Sequence, residues 1–318
     1  MRRAFLLTIT VVGTVFVDIK GYANAKINAE CKNVGNIEFA SGGVGRNVAE
    51  AIARAGGAVE FVTSVDATSQ GDAVLAGLSE VGIRADRVVK TDRGMGMWLA
   101  VLDHNGDLAA SISQKPNLAP LEHLLETQGE EIVKNTDAVV IEFDLAESVV
   151  NKIFGWAKQY EKPIYGIVGN LEVLMQRKSM INNLNLFICN KAEAEEFLGL
   201  TLTSPEECKM AARELTQGGL QTAVITMGEH GSVFYDRIRN EFGFVPCESV
   251  QVVDTTGAGD SFFSGTVFGL ANGFGLGQSV ECGTQLAAWT ISSKANVDPE
   301  IQEKVRHNPL FQRTKVLN

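Results

Sequence analysis

The chain has 318 residues, 45% of them AVILMFWYC and 21% charged, and its 28 Lys and Arg against 38 Asp and Glu leave a net charge of -10. This is the composition of a globular protein long enough to bury one large core. A negative chain without a Lys/Arg cluster argues against nucleic acid or an anionic membrane as partner, because phosphate surfaces demand a positive field, and leaves small solutes.

At the N-terminus, Arg2-Arg3 precede an apolar run from Ala4 to Val17, with a small-residue triplet at Ala23-Asn24-Ala25, the outline of a signal peptide. Asp18 and Lys20 interrupt that outline, and the Val, Ile and Thr content of the run is that of a buried parallel strand instead. No later stretch is long and apolar enough to span a bilayer. Five cysteines (Cys31, Cys189, Cys208, Cys247, Cys282) are odd in number and never spaced C-x-x-C, which predicts neither a disulfide framework nor a zinc site and fits a reducing cytoplasm.

From Thr8 onward strand-like and helix-like segments alternate, the pattern of an α/β domain whose mostly parallel sheet carries helices on both faces. The predicted strands are TITVVGTVFVD (8–18), VEFVTSV (59–65), DAVVIEF (137–143), KPIYGIV (162–168), LNLFICN (184–190), TAVITMG (222–228) and VQVVDTT (250–256). The clearest helix, 44–56, aligns Val44, Val48, Ala51, Ile52 and Ala55 on one stripe and stops at Gly56-Gly57. Two regions break the alternation, at about 19–41 and 94–114. The second reads as a hairpin turning at Asn105-Gly106, and together they predict a small β lid within a single domain spanning 1–318. Trp98 in that hairpin is either a stacking platform for a base or a packing residue.

The motifs lie where strands meet helices. DTTGAGD (254–260) opens an apolar helix, so its backbone N–H groups suit an anion, and Asp260 is either part of that site or a partner for the helix dipole. SGGVGRN (41–47) opens another helix, where Gly42 and Gly43 permit close backbone approach and Asn47 presents an amide to hydroxyls or to solvent. Asp18 could bind two sugar hydroxyls or cap the next loop. Asn190 and Glu193 in NKAEAEEF have capping-box spacing, and TMGEHG (226–231) reads as a hairpin or a nucleotide edge. Neither G-x-x-x-x-G-K-[ST] nor G-x-G-x-x-G occurs, and the four histidines have no ligand spacing.

Taken together, GGVGRNVAEAIARAG and DTTGAGDSFFSG resemble the two signatures of the PfkB (ribokinase-like) family of carbohydrate and nucleoside kinases, and Asp18, NKAEAEE and TMGEHG stand in the family's order. Within it, the stretch from DIKGYANAK to GGVGRN looks most like the pseudouridine kinases. The resemblance implies a three-layer ribokinase-like fold and ATP-dependent phosphorylation of the 5′-hydroxyl of a ribosyl compound, with pseudouridine leading and ribose-, fructose- or adenosine-type substrates as alternatives. It implies Asp260 as catalytic base and the amides of Gly257, Ala258 and Gly259 as an anion hole. Asp18, Gly42, Gly43 and Asn47 fall at sugar-binding positions, Asn190 and Glu193 at the element organising magnesium, and Thr226, Gly228 and Gly231 at the nucleotide edge. Asp254 and Thr256 match positions that hold potassium in many relatives, and an exposed lid edge invites a homodimer. Two departures stand out: Ile167-Val168 replace an expected carboxylate, and Met95 or Met97 a small polar residue in the lid. The first of these favours a rival of another class, a non-catalytic sugar or nucleoside sensor.

Overall fold

The computed structural model describes residues 7–312; Arg2-Arg3 and the start of the apolar run lie outside them. In chain order the strands are β1 (Thr8–Val12), β2 (Phe16–Ala23), β3 (Gly35–Gly42), β4 (Ala58–Asp66), β5 (Val88–Thr91), β6 (Gly96–Leu102), β7 (Leu108–Gln114), β8 (Ala138–Glu142), β9 (Ile164–Ile167), β10 (Leu186–Asn190), β11 (Thr222–Thr226), β12 (Ser232–Asp236) and β13 (Glu241–Val245). The helices that matter below are α1 (Val44–Arg54), α2 (Ser69–Glu80), α3 (Ala119–Lys134), α4 (Glu147–Gln159), α5 (Leu171–Met175), α6 (Lys191–Leu198), α7 (Pro205–Leu215), α8 (Ala258–Ala271) and α9 (Leu276–Ile291).

Nine strands form the central sheet in the order β13-β12-β11-β10-β9-β8-β1-β4-β5. Pairing is parallel except where β12 runs antiparallel to β11 and β13. The two-residue period of the strands builds two separate cores. Val12, Val139, Ile141, Ala223 and Ile225 pack on one face under α3, α4, α6 and α7. Ile9, Val11, Val140 and Val224 point the other way, toward α1, α2, α8 and α9. Strands buried on both faces account for the continuous apolar runs in the sequence.

The predicted first strand, 8–18, is two strands. The backbone N–H of Thr14 donates to Oε2 of Glu142 at 2.7 Å rather than to a neighbouring strand, so β1 ends at Val12. The chain then enters a second sheet ordered β3-β2-β6-β7, which is the lid. Asp18 therefore stands on the lid, paired in register with Ala40 and Trp98, and not at the tip of a central strand. The hairpin between β6 and β7 is present, but its turn is longer than a two-residue one. Only Gly106 has positive φ there, and the carboxylate of Asp103 accepts from the N–H groups of Asn105 and Asp107. The predicted strand 250–256 does not form. Val250, Val252 and Val253 are 36%, 57% and 49% exposed, and with no strand alongside, the segment bonds through Val253 and Asp254 N–H to the carbonyl of Ile291.

The sheet's order reverses at β1, whose successors lie on one side (β4, β5) and then on the other (β8 onward). Such a switch point opens a crevice at the carboxyl ends of the strands. The hydrogen bond from Thr14 to Glu142 crosses that crevice, and the lid stands over it.

Candidate active site

A cleft of about 590 Å³ fills the crevice, lined among others by Thr14, Asp18, Gly42, Gly43, Asn47, Glu142, Thr256, Gly257 and Asp260. Residues from both glycine-rich signatures thus meet in one place, although more than two hundred positions separate them. The amide Nδ2 of Asn47 donates to Oδ2 of Asp260 at 2.8 Å. Arg46 fixes that amide's orientation by donating to Oδ1 of Asn47 at 3.0 Å and to the carbonyl of Ser41 at 3.0 Å, while it pairs with the buried Glu50.

Two glycines are required by this geometry. Gly43 has φ 97°, and a Cβ there would stand 2.7 Å from the carbonyl oxygen of Thr14. Gly257 has φ 76°, and a Cβ would collide with the backbone carbonyl of Asn296. Gly257 begins α8. Ala258 and Ser261 donate to the carbonyls of Thr255 and Gly257, whereas the N–H groups of Gly259 and Asp260, in the first turn, have no acceptor within the helix. They are available to an anion.

Asp260 is half-buried, and desolvation pushes its pKa up to about 6, against the opposing effects of the Asn47 hydrogen bond and the Arg46 charge. A carboxylate so placed is a better proton acceptor than an ordinary aspartate at neutral pH. Asp18, also half-buried, is raised by burial, with Lys20 and a hydrogen bond from Asn296 pulling it down. Asp254, by contrast, is held low by the Thr256 N–H, which donates to its Oδ1 at 2.8 Å, so it stays charged beside the anion site.

A second, smaller cleft of about 180 Å³ lies on the other side of the start of α8. Thr226, Gly228 and Gly231 line it together with Ala258, Gly259 and Phe262 from α8 and Thr284, Ala287 and Ile291 from α9. TMGEHG forms the β11–β12 hairpin, and its Thr226, Gly228 and Gly231 also wall this second cleft. The N-terminus of α8 is therefore shared, with Gly257 and Asp260 facing one cleft and Ala258 and Gly259 the other.

Asn190 and Glu193 line neither cleft. They form a complete capping box on α6, Asn190 Oδ1 accepting from Glu193 N–H and Glu193 Oε2 from Asn190 N–H, each at 2.9 Å. Register nonetheless sets Asn190 beside Thr226 at the sheet's carboxyl edge. Among the described residues no group of three or more His, Cys, Asp or Glu side chains could hold a metal ion. Trp98 is not among the residues lining the first cleft; Phe16 is its aromatic wall.

Glu142 was not visible as a site residue in the sequence, where it ends the apolar run DAVVIEF. It is buried, accepts from the N–H and the hydroxyl of Thr14, and is pushed up to about 7 by desolvation and by the charges of Asp144 and Asp260. A charged residue closing an otherwise apolar strand was the available signal. Ile167, where the missing carboxylate was expected, is a buried core residue. Glu142 and Asp144 bring carboxylates to the same crevice from the adjacent β8 edge.

Comparison with known proteins gives a consistent answer. Residues 7–302 match the pfkB family carbohydrate kinase domain. The chain is 38% identical over 289 residues to the guanosine-inosine kinase of Exiguobacterium acetylicum, covering 91% of this chain and 95% of that protein. It is 24% identical over 296 residues to the pseudouridine kinase of Escherichia coli, covering 92% and 93%. In structure it is similar to Arabidopsis thaliana ribokinase complexed with ribose and ATP, with a TM-score of 0.80 at 18% identity over 95% of this chain and 99% of that one.

Because Asn47 holds the pKa of Asp260 down, Asn47→Ala should move it further above about 6. Carbon-13 titration of the aspartate carboxyls, assigned with Asp260→Asn, should show both the raised value and its rise in the variant. An Asp260 that titrates near the ordinary ~4 in both proteins would contradict this electrostatic picture.

Proposed function

The chain belongs to the pfkB family of carbohydrate kinases, which transfer phosphate to a sugar or nucleoside hydroxyl, and from that membership we propose that it phosphorylates the 5′-hydroxyl of a ribonucleoside with ATP. One observation carries the proposal: the amino end of α8 is the common wall of two clefts, with a raised carboxylate on one side and free amides at the turn between them. The nucleoside occupies the larger cleft and ATP the smaller. Asp18 and Asn47 accept and donate hydrogen bonds to the ribose hydroxyls, and Gly42 and Gly43 let the sugar approach the backbone. Asp260 takes the proton of the attacking hydroxyl as the new oxygen–phosphorus bond forms and the bond to ADP breaks. The amides of Gly257 and Gly259, joined by that of Ala258 as it leaves the Thr255 carbonyl, neutralise the phosphoryl oxygens, which is most of what this reaction asks of a protein.

Magnesium fits this site as the nucleotide's ion. It keeps several waters and binds through phosphates and one or two carboxylates, so a dedicated protein cage is not needed. Asn190 and Glu193, next to Thr226, are the groups that would orient its water shell. A potassium ion would be held by the charged Asp254 with Thr256. Pseudouridine remains a candidate substrate, but 38% identity to a guanosine-inosine kinase against 24% to a pseudouridine kinase puts purine nucleosides ahead of it. Cys31, Cys189, Cys208 and Cys247 are free thiols, and among the described residues no helix is long and apolar enough to cross a membrane; a cytoplasmic location suits both.

The outer face of the lid supports pairing of two copies. Phe39, Ile19, Leu99 and Ile112 stand in one cross-strand row, and Phe39, Leu99 and Ile112 are 62%, 39% and 69% exposed.

ADP release should be seen with magnesium, potassium and at least one of inosine, guanosine and pseudouridine. Asp260→Asn should keep nucleoside binding while lowering kcat by roughly two to four powers of ten. Nucleoside binding without ADP release in the wild type would support the sensor instead, and near-normal turnover in Asp260→Asn would return that residue to a helix-dipole role. Sedimentation should show a dimer that Phe39→Glu with Ile112→Lys converts to monomer; a monomeric wild type would remove the lid pairing.

A further inference from the structure

The large cleft has more room and more chemistry than a ribose uses. Its volume of about 590 Å³ is in the range of cavities that enclose drug-sized ligands, ~300–1,000 Å³. The hydroxyl-binding groups gather around Asp260. Asp144 stands beside Glu142, since a Cβ on Gly169 would meet both Oε1 of Glu142 and Oδ2 of Asp144. Asp144 and Lys115 both line this cleft, Asp144 from the end of β8 and Lys115 from the segment after β7. The cleft's walls include Phe16, Pro116, Leu118, Leu171 and Val173, apolar surfaces suited to the faces of a flat ring.

Two charged side chains lining the cleft have unused hydrogen-bonding capacity. Oδ1 of Asp144 is buried and makes no hydrogen bond. Lys115, exposed where the chain leaves β7, makes no hydrogen bond or ion pair among the described residues, and its charge is felt by Asp144. A buried carboxylate oxygen without a donor is costly, and the ligand is the natural source of one. Carboxylate oxygens only accept and an ammonium only donates. The complement of this pair is a ring edge that presents an N–H beside a carbonyl oxygen.

Building on the nucleoside-kinase reading, we propose that Asp144 and Lys115 are the specificity-determining residues of the cleft and select the lactam edge of a 6-oxopurine. Asp144 accepts from N1–H, and Lys115 donates to O6. Guanine adds its 2-amino group as a second donor to the same carboxylate. Adenine reverses both positions, setting an amino group against Lys115 and a lone pair against Asp144, while the glycosidic bond fixes which edge reaches them. Sites built around such hydrogen bonds reject analogues that leave buried groups unpaired far more strongly than apolar pockets reject a change of size.

The test compares kcat/KM for inosine, guanosine, adenosine, purine riboside (no 6-oxygen and no N1–H) and 1-methylinosine (N1–H blocked). Wild type should favour inosine over adenosine and over 1-methylinosine by about 100-fold or more. Asp144→Ala and Asp144→Asn should lower inosine by at least about ten-fold while leaving purine riboside within about three-fold, and Lys115→Met should do the same. Equal losses on inosine and purine riboside in the Asp144 variants would mean that Asp144 only supports the fold, and would overturn the proposal. So would a wild type that prefers adenosine, or variants with unchanged discrimination. Failure of wild type to turn over any nucleoside would overturn the functional reading itself, and with it this one; turnover with no base preference would sink this one alone.

Discussion

The hydrogen bond between Asn47 and Asp260 is the contact on which the site is organised. It joins the first turns of α1 and α8, the two helices that begin in glycine-rich turns, and it forms only because both backbones come close to their neighbours at Gly43 and Gly257. Behind it, Arg46 and Glu50 hold the Asn47 amide in one orientation, so that the nitrogen and not the oxygen faces the carboxylate. The result is a half-buried aspartate without a full counter-charge. Desolvation raises it, one neutral donor moderates it, and it is left as a usable base near neutral pH.

That contact sits where the topology puts a crevice. β1 is flanked by strands that come from opposite directions of winding, and the bond from Thr14 to Glu142 ties the edges of β1 and β8 across the gap. Four carboxylates, Asp18, Glu142, Asp144 and Asp260, line the same cleft in a chain of net charge -10. Such a lining would repel an anionic acceptor, but it suits a neutral polyol or nucleoside, whose hydroxyl and ring N–H groups need acceptors. In the proposed reaction, phosphate is left to the backbone amides at the start of α8, a turn away, rather than to lysines.

Much of this was legible in the sequence because it depends on local chemistry. Glycine-rich helix starts, a capping box at Asn190 and Glu193, and apolar runs between them are written in short windows, and all of these form except the run VQVVDTT. What the sequence hid depends on distant partners. Glu142 looked like the end of a core strand because its ligand, Thr14, is 128 positions away. The same bond ends β1 early and carries Asp18 onto the lid. VQVVDTT looked like a strand because its valines alternate, yet no strand lies beside it to bond with. Asp144 and Lys115 carry no motif at all, and only the cleft brings them together.

The central claim is that the amino end of α8 is the transfer point between the two clefts. A crystal structure with inosine, ADP, magnesium and aluminium fluoride tests it most directly. The account predicts the fluoride against the amides of Gly257, Ala258 and Gly259, with the 5′-hydroxyl within hydrogen-bonding distance, about 2.6–3.2 Å, of the Asp260 carboxylate. A nucleoside whose 5′-hydroxyl turns away from Asp260, or a fluoride bound away from the start of α8, would contradict it.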